Sequence, residues 1–355
     1  MSVNDVPALA GGFGMCQMAD ATENQFLGAL LGMAIGDALG APVSGMDRAE
    51  IAARFGTIDR FQGRTQAGAE EIHPGEFTDE TELALCIVES MTANRGNLDL
   101  ETAGVRMLHL AAGPSRRWMH PATLAALDAA ADTLEFSVPL DEDGPATGDV
   151  AARGVPVGLV HAVGRLDASR LRADAEAVVR LTHGGPAAFN AATAIAYAVR
   201  LAATGAPRET WARDTAEFLG GGELAERLAE LDQLLVLAST SLPDALERTG
   251  TGLDATESVP AAFAAAMSEP VFENAVYAAV NAGGATDTVG ALTGALAGAA
   301  GGASGIPQDL IDGLEGRIYV SLAAPWFHKA ARQRAGHQID LRPVHGPRPD
   351  MPPRQ

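Results

Sequence analysis

Two short stretches of oxygen-bearing side chains, each followed by an apolar run, carry the residues best suited to chemistry in this chain. The first stretch is 78–81, Thr-Asp-Glu-Thr, and an apolar segment follows it at 83–91. The second is 283–288, Gly-Gly-Ala-Thr-Asp-Thr, followed by an Ala/Gly/Leu segment at 289–302. If these predicted helices meet at their starts, their carboxylates and hydroxyls form one cluster. Hard oxygen ligands of this kind suit Mg²⁺, Mn²⁺ or Ca²⁺ rather than zinc.

Each stretch also fits a purely structural interpretation. Thr, Ser and Asp are favoured at helix N-caps, and acidic residues in the first turn interact favourably with the helix dipole. Helix capping therefore explains either stretch taken alone. A ligand site is favoured only if the two helix starts come together in space.

Two stripes of glycine indicate which helices approach each other most closely. Glycine recurs every fourth residue at Gly28, Gly32, Gly36 and Gly40, and again at Gly290, Gly294, Gly298 and Gly302. Residues four apart share a helix face, and a face of glycines lets a second backbone come close. Because an interior glycine costs about 1 kcal/mol relative to alanine, the spacing favours two central helices in tight contact. Glycine as neutral filling in an alanine-rich chain is the alternative.

Composition favours an all-α fold. Of the 355 residues, 47% are hydrophobic but only 5% are aromatic, so the strand signature is thin. The net charge of −20 argues against binding to a nucleic-acid backbone. Cys16 and Cys86 match no zinc spacing and are expected to be reduced thiols of a cytoplasmic protein. Residues 1–20 lack a signal-peptide pattern and no apolar run reaches transmembrane length, so no membrane partner is expected.

We expect one compact helical domain at 23–334, between a flexible leader at 1–22 and a Pro/Arg-rich tail at 335–355. Apolar spacing predicts helices throughout this domain, and no linker divides it. The predicted helices include 47–55, 100–110, 121–134, 168–180, 187–203, 208–219, 223–238, 242–248, 259–267, 271–281, 307–314 and 315–334. The segments 56–75, 137–148 and 249–257 are predicted loops.

Five motifs in order resemble the ADP-ribosylglycohydrolase family, of the dinitrogenase-reductase-activating type. They are GALLG at 28–32, GDALG at 36–40, FTDET at 77–81, THGGP at 182–186 and NAGGATDT at 281–288. The resemblance covers residues 24–330. It implies a single orthogonal all-α domain, a binuclear Mg²⁺ or Mn²⁺ site, and hydrolysis of the bond from C1″ of ADP-ribose to a protein side chain.

The resemblance also implies a set of metal ligands and two departures from the family pattern. The implied ligands are Thr78, Asp79, Glu80, Asp287 and Thr288. Glu80 stands where the family usually has aspartate, and Ala285 stands where the family has an aspartate ligand. Alanine cannot coordinate a cation, so one or two ions are expected, with the second site weakened.

Catalytic and substrate-binding candidates complete the expected site. The catalytic candidates are Asp149, Glu80 and Asp37, with Asp149 or Glu80 as the base. Asp149 lies in the segment 148–153, where the family has a polar, uncharged residue, and Ser44 lies near the place of a family glutamate. The substrate-binding candidates are His183, Gly284, Arg116 and Trp118. A turn role for His183 and a solvated loop at 116–118 are the alternatives.

Three functions are compatible with the sequence. The first is a metal-dependent N- or O-glycosidase acting on ADP-ribosylated proteins or small molecules, and the second is a glycosidase repurposed for a smaller nucleoside or nucleotide. The third is a non-catalytic member that binds ADP-ribose or only keeps the fold. The intact Asp79, Asp287 and Thr288 favour the first two, whereas Ala285 favours the third. A monomer or weak dimer is expected.

Overall fold

The computed structural model describes residues 19–65, 71–236 and 240–338, and these residues confirm the all-α prediction. Within them, β-structure is limited to two isolated bridges, Arg64 with Ile72 and Thr147 with Asp254. The α-helices are α1 (Glu23–Gly40), α2 (Arg48–Phe55), α3 (Asp79–Ala93), α4 (Leu100–Ala111), α5 (Pro121–Ala130), α6 (Gly148–Ala152), α7 (Gly154–His161), α8 (Ala168–Val179), α9 (Pro186–Ala203), α10 (Trp211–Leu219), α11 (Glu223–Val236), α12 (Leu242–Thr249), α13 (Ala255–Ser268), α14 (Phe272–Val280), α15 (Thr286–Gly301), α16 (Gln308–Gly313) and α17 (Arg317–Arg334).

Helices α1 and α15 run antiparallel through the centre, in contact along their glycine faces. A Cβ added to Gly36 would lie 1.9 Å from the carbonyl oxygen of Gly290, and one added to Gly32 would lie 2.2 Å from that of Gly294. The same holds for Gly28, where the distance to the carbonyl oxygen of Gly298 is 2.3 Å. The predicted contact between the two glycine stripes is therefore confirmed. We call these three facing pairs the glycine seam.

The fourth members of the stripes do not pair with each other. Gly40 faces the backbone of Thr286, and Gly302 is the residue that ends α15, with φ +68° and a side-chain neighbour in Asn24. Gly302 thus serves the left-handed φ of a helix end rather than the seam. The seam stops where the oxygen-bearing residues begin.

The central helix α1 is buried nearly all round. One helical span, Glu23–Val43, which joins α1 to the following 3-10 turn, is long and apolar enough for a membrane span by length and composition. The prediction that no run reaches this length was wrong for this span. However, 94% of its most apolar window is buried inside the protein, where it packs against α14, α15 and α17. Its apolar character is accounted for by this central position.

The remaining helices form layers around the central pair. Helix α9 packs against α6, α7, α8, α10 and α15, and α17 packs against α1, α3 and α7. Much of the core is alanine, which allows close helix spacing: a Cβ on Gly154 would lie 2.2 Å from the carbonyl oxygen of Ala192. The phenylalanines Phe26 and Phe327 fix α17 on α1, with ring centroids 5.4 Å apart.

Several boundaries differ from the predicted ones for local reasons. The loop predicted at 249–257 is shorter, because Asp254 accepts from the backbone N–H of Thr256 at 2.8 Å and α13 begins at Ala255. The helix predicted at 208–219 begins as a 3-10 turn, and the one predicted at 121–134 ends at Ala130. Residues 148–161 form two helices that meet at Arg153.

The predicted leader and tail lie mostly outside the described residues. Residues 1–18 and 339–355 are the parts that lie outside the described residues. At the near end of the predicted leader, Ala21 is buried and its N–H donates to the carbonyl oxygen of Ala162 at 2.9 Å. Asp20 accepts from the N–H of Gly164 at 2.8 Å. These contacts attach residues 20–21 to the end of α7.

Candidate active site

Five carboxylates meet where the glycine seam ends. They come from four helices, α1, α3, α6 and α15, and are Asp37, Asp79, Glu80, Asp149 and Asp287. The starts of α3 and α15 are joined directly, because the hydroxyl of Thr288 donates to Oε1 of Glu80 at 2.7 Å. The two oxygen-rich stretches therefore do come together. We call this group the acid cluster.

A glycine turn places the start of α15 in the cluster. Gly283 and Gly284 have φ +86° and +80°, and a Cβ on Gly284 would lie 2.1 Å from the carbonyl oxygen of Thr251. The Gly284 N–H donates to Met46 and the Gly284 carbonyl accepts from Gly45, both at 2.8 Å. Only glycine fits such a conformation without strain. Gly284 thus holds the turn against the 3-10 segment after α1, and the structure shows this positioning role directly.

Helix capping does not account for the threonines. Ala285 is the N-cap residue of α15, and Thr286 donates its hydroxyl to the carbonyl oxygen of Gly40 at 2.8 Å. Thr78 is the N-cap residue of α3, but its side chain makes no capping hydrogen bond. The hydroxyls of Thr78 and Thr288 point to carboxylates instead.

Asp37, from α1, takes over the capping of α3. It accepts from the backbone N–H of Thr78 at 3.0 Å and of Thr81 at 3.3 Å, and from the hydroxyl of Thr81 at 2.6 Å. Complete burial, together with the charge of the nearby Asp287, raises the pKa of Asp37 to about 7, and these hydrogen bonds oppose the rise. Both carboxylate oxygens are occupied, so the contacts of Asp37 are those of an anchor between α1 and α3.

Glu80 is likewise held by hydroxyls on both oxygens. Thr288 donates to Oε1, and the hydroxyl of Thr78 lies in short contact with Oε2. The same Thr78 hydroxyl lies 2.9 Å from Oδ1 of Asp37. A hydroxyl carries one hydrogen, so one of its two contacts requires a proton on a carboxyl group. Burial, followed by the charges of Asp287 and Asp37, raises the pKa of Glu80 well above its usual range.

Asp287 lies opposite Ser44 at the more open side of the cluster. The Ser44 hydroxyl donates to Oδ1 at 2.8 Å, and the N–H of Thr288 donates to the same oxygen at 2.9 Å. Burial raises the pKa of Asp287, and these two donors oppose the rise. Ser44 therefore serves the carboxylate of α15 and is itself engaged.

Two carboxylate oxygens of the cluster have no hydrogen-bond donor. They are Oδ2 of Asp79 and Oδ2 of Asp149, both shielded from solvent. Burial and then the charges of Glu80 and Asp149 raise the pKa of Asp79 well above its usual range. A buried carboxylate oxygen without a donor is unfavourable unless a ligand or cation supplies the missing interaction. Asp79 and Asp149 are thus the carboxylates left open toward a ligand.

A buried arginine–histidine pair lies beside Asp149. Arg153 is fully buried; its guanidinium contacts the hydroxyl of Thr182, donates to Thr123 at 3.1 Å and lies 4.0 Å from Oδ2 of Asp149. His183 pairs its Nδ1 with Thr182 at 2.8 Å and leaves Nε2 buried without a partner. Burial, reinforced by Arg153, lowers the pKa of His183 to about 4. The imidazole is therefore neutral at pH 7.

Sequence reasoning missed Arg153 and Thr123 as parts of this region. The available signal for Arg153 was its place four residues after Asp149, on the same face of a predicted helix. Thr123 lies on α5, whose contact with Arg153 becomes visible only in the folded chain.

The structure does not bring Arg116 into the cluster. Its guanidinium makes a bidentate ion pair with Asp128 on the surface, at 2.9 and 2.8 Å. The indole of Trp118 has the guanidinium of Arg117 over it at 4.4 Å and lines a cleft with Glu76, Glu82 and Glu315. Arg116 stays a substrate-binding prediction; in the structure its guanidinium pairs with Asp128 outside the acid cluster.

The donor set of the cluster suits a hard divalent cation in kind. It offers carboxylate and hydroxyl oxygens, and the unpartnered Oδ2 of Asp79 is the kind of atom that a cation would satisfy. Among the described residues, however, no three Asp, Glu, His or Cys side chains are placed to hold one ion. Hydroxyl oxygens and water therefore have to complete the coordination of any bound cation.

Comparison with known proteins identifies the class of this protein. A sequence profile of the ADP-ribosylglycohydrolase family matches residues 18–339. A solved structure described as an ADP-ribosylglycohydrolase-related protein complex superimposes with a TM-score of 0.69 at 29% identity, covering 87% of this chain and 98% of the other. The chain belongs to the ADP-ribosylglycohydrolase family, as its motifs predicted.

Relatives extend this similarity to three organisms. An uncharacterized protein of Archaeoglobus fulgidus is 27% identical over 302 residues, which cover 84% of this chain and 94% of the relative. The uncharacterized protein YegU of Escherichia coli is 29% identical over 293 residues, with coverage of 76% and 85%. The ADP-ribosyl-[dinitrogen reductase] glycohydrolase of Rhodospirillum rubrum is 41% identical over 78 residues, 22% of this chain and 25% of that enzyme.

Proposed function

We propose that this protein is a hydrolase that cleaves the bond from C1″ of an ADP-ribosyl group to its acceptor, with Mg²⁺ or Mn²⁺ bound at the acid cluster. The observation that carries the proposal is the pair of carboxylates Asp79 and Asp149, whose Oδ2 atoms are buried without a hydrogen-bond donor. The chain that carries them belongs to a family whose name describes glycohydrolysis of ADP-ribose. We also propose a cytoplasmic location, because the cysteine pattern is typical of reduced thiols.

The chemistry needs a group that activates water and a surrounding that stabilises positive charge on the sugar. Cleavage of a ribosyl bond passes through an oxocarbenium-like transition state. A bound cation would orient the ribose hydroxyls and lower the pKa of a coordinated water. Its ligands would come from Asp79 and Asp287, with Thr78, Thr288 and Glu80 beside them.

We assign the base to Asp149. Its Oδ2 has no hydrogen-bond partner, whereas both oxygens of Glu80 and of Asp37 are already engaged in hydrogen bonds. Arg153, 4.0 Å from that oxygen, orients the carboxylate from the protein side. The free Nε2 of neutral His183 is available to hydrogen-bond the substrate. Asp79 supplies negative charge close to the developing oxocarbenium ion.

We transfer the reaction type from the relatives to this chain, but we do not transfer their protein substrate. The Rhodospirillum rubrum enzyme is named for dinitrogen reductase, and its match covers only 22% of this chain. Departures from the family pattern in this chain fall at two metal-ligand positions, Glu80 and Ala285, and at the proposed base, Asp149. We therefore take ADP-ribosylated side chains or small molecules as the substrate class.

A second candidate function is binding of ADP-ribose, or of another nucleoside or nucleotide, without the usual hydrolysis. Ala285 favours it, because a buried methyl group replaces a carboxylate at the start of α15. The hydroxyl hydrogen bonds that engage both oxygens of Glu80 also favour it, since they compete with a cation for the same lone pairs.

Turnover of defined conjugates tests the first proposal. Peptides carrying ADP-ribosyl-arginine or ADP-ribosyl-serine are incubated with the full chain, after chelator treatment and then with Mg²⁺ or Mn²⁺, and released ADP-ribose is measured by chromatography. We expect release that requires the cation, and a kcat lowered about 100-fold or more in Asp149→Asn. The control is Asp128→Asn, which alters only the surface pair with Arg116. No release from any conjugate with either cation would contradict hydrolysis.

A further inference from the structure

The outer face of α17 carries an exposed apolar stripe, formed by Ile318, Leu322 and Trp326. Ile318, Leu322 and Trp326 recur every fourth residue with exposed fractions of 66%, 66% and 59%, and Tyr319 beside them is 43% exposed. The opposite face of α17 is buried against α1, α3 and α7 through Val320, Ala324, Phe327, Ala330 and Ala331. The stripe is thus distinct from the face that holds α17 in the fold.

The stripe continues into a groove between α3 and α4. Tyr319 lines this groove of about 590 Å³ together with Leu85, Leu110 and Val105, the last of which is 41% exposed, and the charged Glu82, Glu89 and Arg106 line it as well. Taking about 200 Å² for a large side chain, the exposed fractions of the four α17 residues and Val105 correspond to roughly 500 Å² of surface. Contiguous apolar patches of this size on a protein surface mark interaction sites.

Charged residues at the two ends of the stripe are of opposite sign and equally spaced from its centre. Glu315 lies seven positions before Leu322, in the turn that precedes α17, and Lys329 lies seven positions after Leu322 on the helix; both are exposed. Lys329 is the single lysine of the chain, and its ammonium lies 4.3 Å from the ring centroid of Trp326. An arrangement of this kind is complementary to itself when the helix is reversed.

We propose that two copies of this chain associate through antiparallel α17 helices, related by a two-fold axis at Leu322. In this register Leu322 meets its own copy, Ile318 of one subunit meets Trp326 of the other, and Glu315 meets Lys329 twice. Isologous pairing of this kind is the commonest symmetry of soluble oligomers.

The available area agrees with a dimer of this type. A standard interface buries about 800 Å² on each partner, and homodimer interfaces are about 65% apolar. The apolar part required is therefore about 520 Å², close to the roughly 500 Å² that the stripe and groove edge expose. The charge complementarity favours a second copy over an unrelated acidic or basic partner, because both signs are present at matching distances. This inference is independent of the proposed function.

Sedimentation velocity of the full chain, from about 1 µM to about 200 µM, gives the first test. We expect a monomer–dimer equilibrium with a dissociation constant of about 10 µM. Leu322→Glu places two carboxylates at the two-fold axis and should weaken dimerisation at least about 100-fold. Leu140→Glu, at a leucine that is 69% exposed in a loop far along the chain, is the matched control and should leave the equilibrium unchanged.

A charge exchange tests the register itself. Glu315→Lys or Lys329→Glu alone sets like charges opposite each other twice in the dimer and should raise the dissociation constant about tenfold. The double variant restores opposite charges and should return it to the parent value. Failure of this rescue, with both single variants folded, would overturn the antiparallel register.

Cross-linking provides a readout that does not depend on any variant. A carbodiimide couples carboxylates to amines, and Lys329 is the only side-chain amine. In a mixture of ¹⁴N- and ¹⁵N-labelled chains, a mixed-isotope peptide pair joining Glu315 to Lys329 is expected. A monomer at every concentration, or a dimer unaffected by Leu322→Glu, would overturn the proposal.

Discussion

The glycine seam and the acid cluster occupy the middle and the end of the same helix pair, and they are built on opposite principles. In the seam, the absence of side chains lets α1 and α15 pack backbone to backbone, with space for no added methyl group at Gly28, Gly32 or Gly36. In the cluster, five acidic side chains are crowded together and two oxygens have no donor. The seam is stabilising throughout, whereas the cluster is unfavourable without a ligand.

The contrast indicates how the fold maintains an unfavourable group. Like charges close together in a poorly solvated place repel each other and raise their own pKa values. They stay together only if the surrounding structure fixes them. Here the seam fixes α15 against α1, and Asp37 fixes α3 against α1 through the N–H groups of Thr78 and Thr81. The tightly packed glycine seam and the mutually repelling carboxylates of the acid cluster therefore lie within a few helical turns of each other.

The largest expected effect comes from filling the seam. Gly36→Ala would set a methyl group 1.9 Å from the carbonyl oxygen of Gly290, so the two central helices must separate. We expect a loss of roughly 3 kcal/mol or more in the free energy of unfolding, or no folded protein. Chemical denaturation measures it. Gly301→Ala, on the same helix pair but with no atom within 4 Å of the added carbon, should be neutral or stabilising by up to about 1 kcal/mol.

Removing a charge from the cluster should have the opposite effect on stability. Asp79→Asn removes a carboxylate whose pKa is raised by burial and by Glu80 and Asp149. We expect the chelator-treated protein to gain about 1 kcal/mol in the free energy of unfolding, together with a loss of turnover of about 100-fold or more. Lower stability combined with unchanged turnover would contradict the assignment of Asp79 to the reactive site.

The pH dependence of the protein's stability should report the same repulsion among the carboxylates of the acid cluster. Asp37, Asp79, Glu80 and Asp287 all have raised pKa values. A carboxyl group with a raised pKa binds its proton more tightly in the folded chain, so its stabilising contribution is present below the unfolded pKa of about 4. That contribution is lost as the pH rises through the folded pKa, which is about 7 for Asp37.

We therefore expect the acid cluster to lower the melting temperature of the chelator-treated protein increasingly from about pH 5 to about pH 8. His183 acts in the opposite direction, since its pKa is lowered to about 4 and its neutral form stabilises the fold at higher pH. Scanning calorimetry with and without Mn²⁺ separates the two, because a cation relieves only the carboxylates. The gain in melting temperature on adding Mn²⁺ should grow with pH; a gain that shrinks with pH would contradict this.

The smallest change we predict concerns the number of bound cations. Ala285→Asp adds a carboxylate at the start of α15, next to Thr286 and Asp287, at a position that is buried. We expect the affinity for a second Mn²⁺ to rise at least about tenfold, measured as stoichiometry by calorimetry or by the spectrum of free Mn²⁺. Unchanged stoichiometry would show that Ala285 is not the position that limits the second ion. Turnover that falls in the variant would indicate a site retuned around one ion.

The sequence was sufficient for the features that depend on spacing along one element. The four-residue glycine period predicted the contact of α1 with α15, and the motif order predicted the family. The two similar stretches raised the meeting of the starts of α3 and α15 only as a condition, and the structure meets it. Local chemistry was sufficient for most helix starts, as Asp47 before α2 and Asp99 before α4 illustrate.

The sequence did not predict features that depend on which residues lie opposite each other in the folded chain. Asp37 was a catalytic candidate by residue type, but both its oxygens accept hydrogen bonds from groups at the start of α3, 41 and 44 residues away. Arg116 looked free in a polar loop, and Asp128 engages it. Likewise, the apolar residues of α17 divide into a buried and an exposed face only once its neighbours α1, α3 and α7 are known.

The central claim is that the acid cluster is a cation-dependent site for ADP-ribose, and calorimetric titration tests it most directly. ADP-ribose is titrated into the chelator-treated full chain, alone and then with Mg²⁺ or Mn²⁺. The account predicts micromolar binding that requires the cation and is lost in Asp79→Asn. Binding that is independent of the cation would indicate a protein that recognises ADP-ribose without the hydrolytic centre. No binding under either condition would contradict the assignment of ADP-ribose to this site.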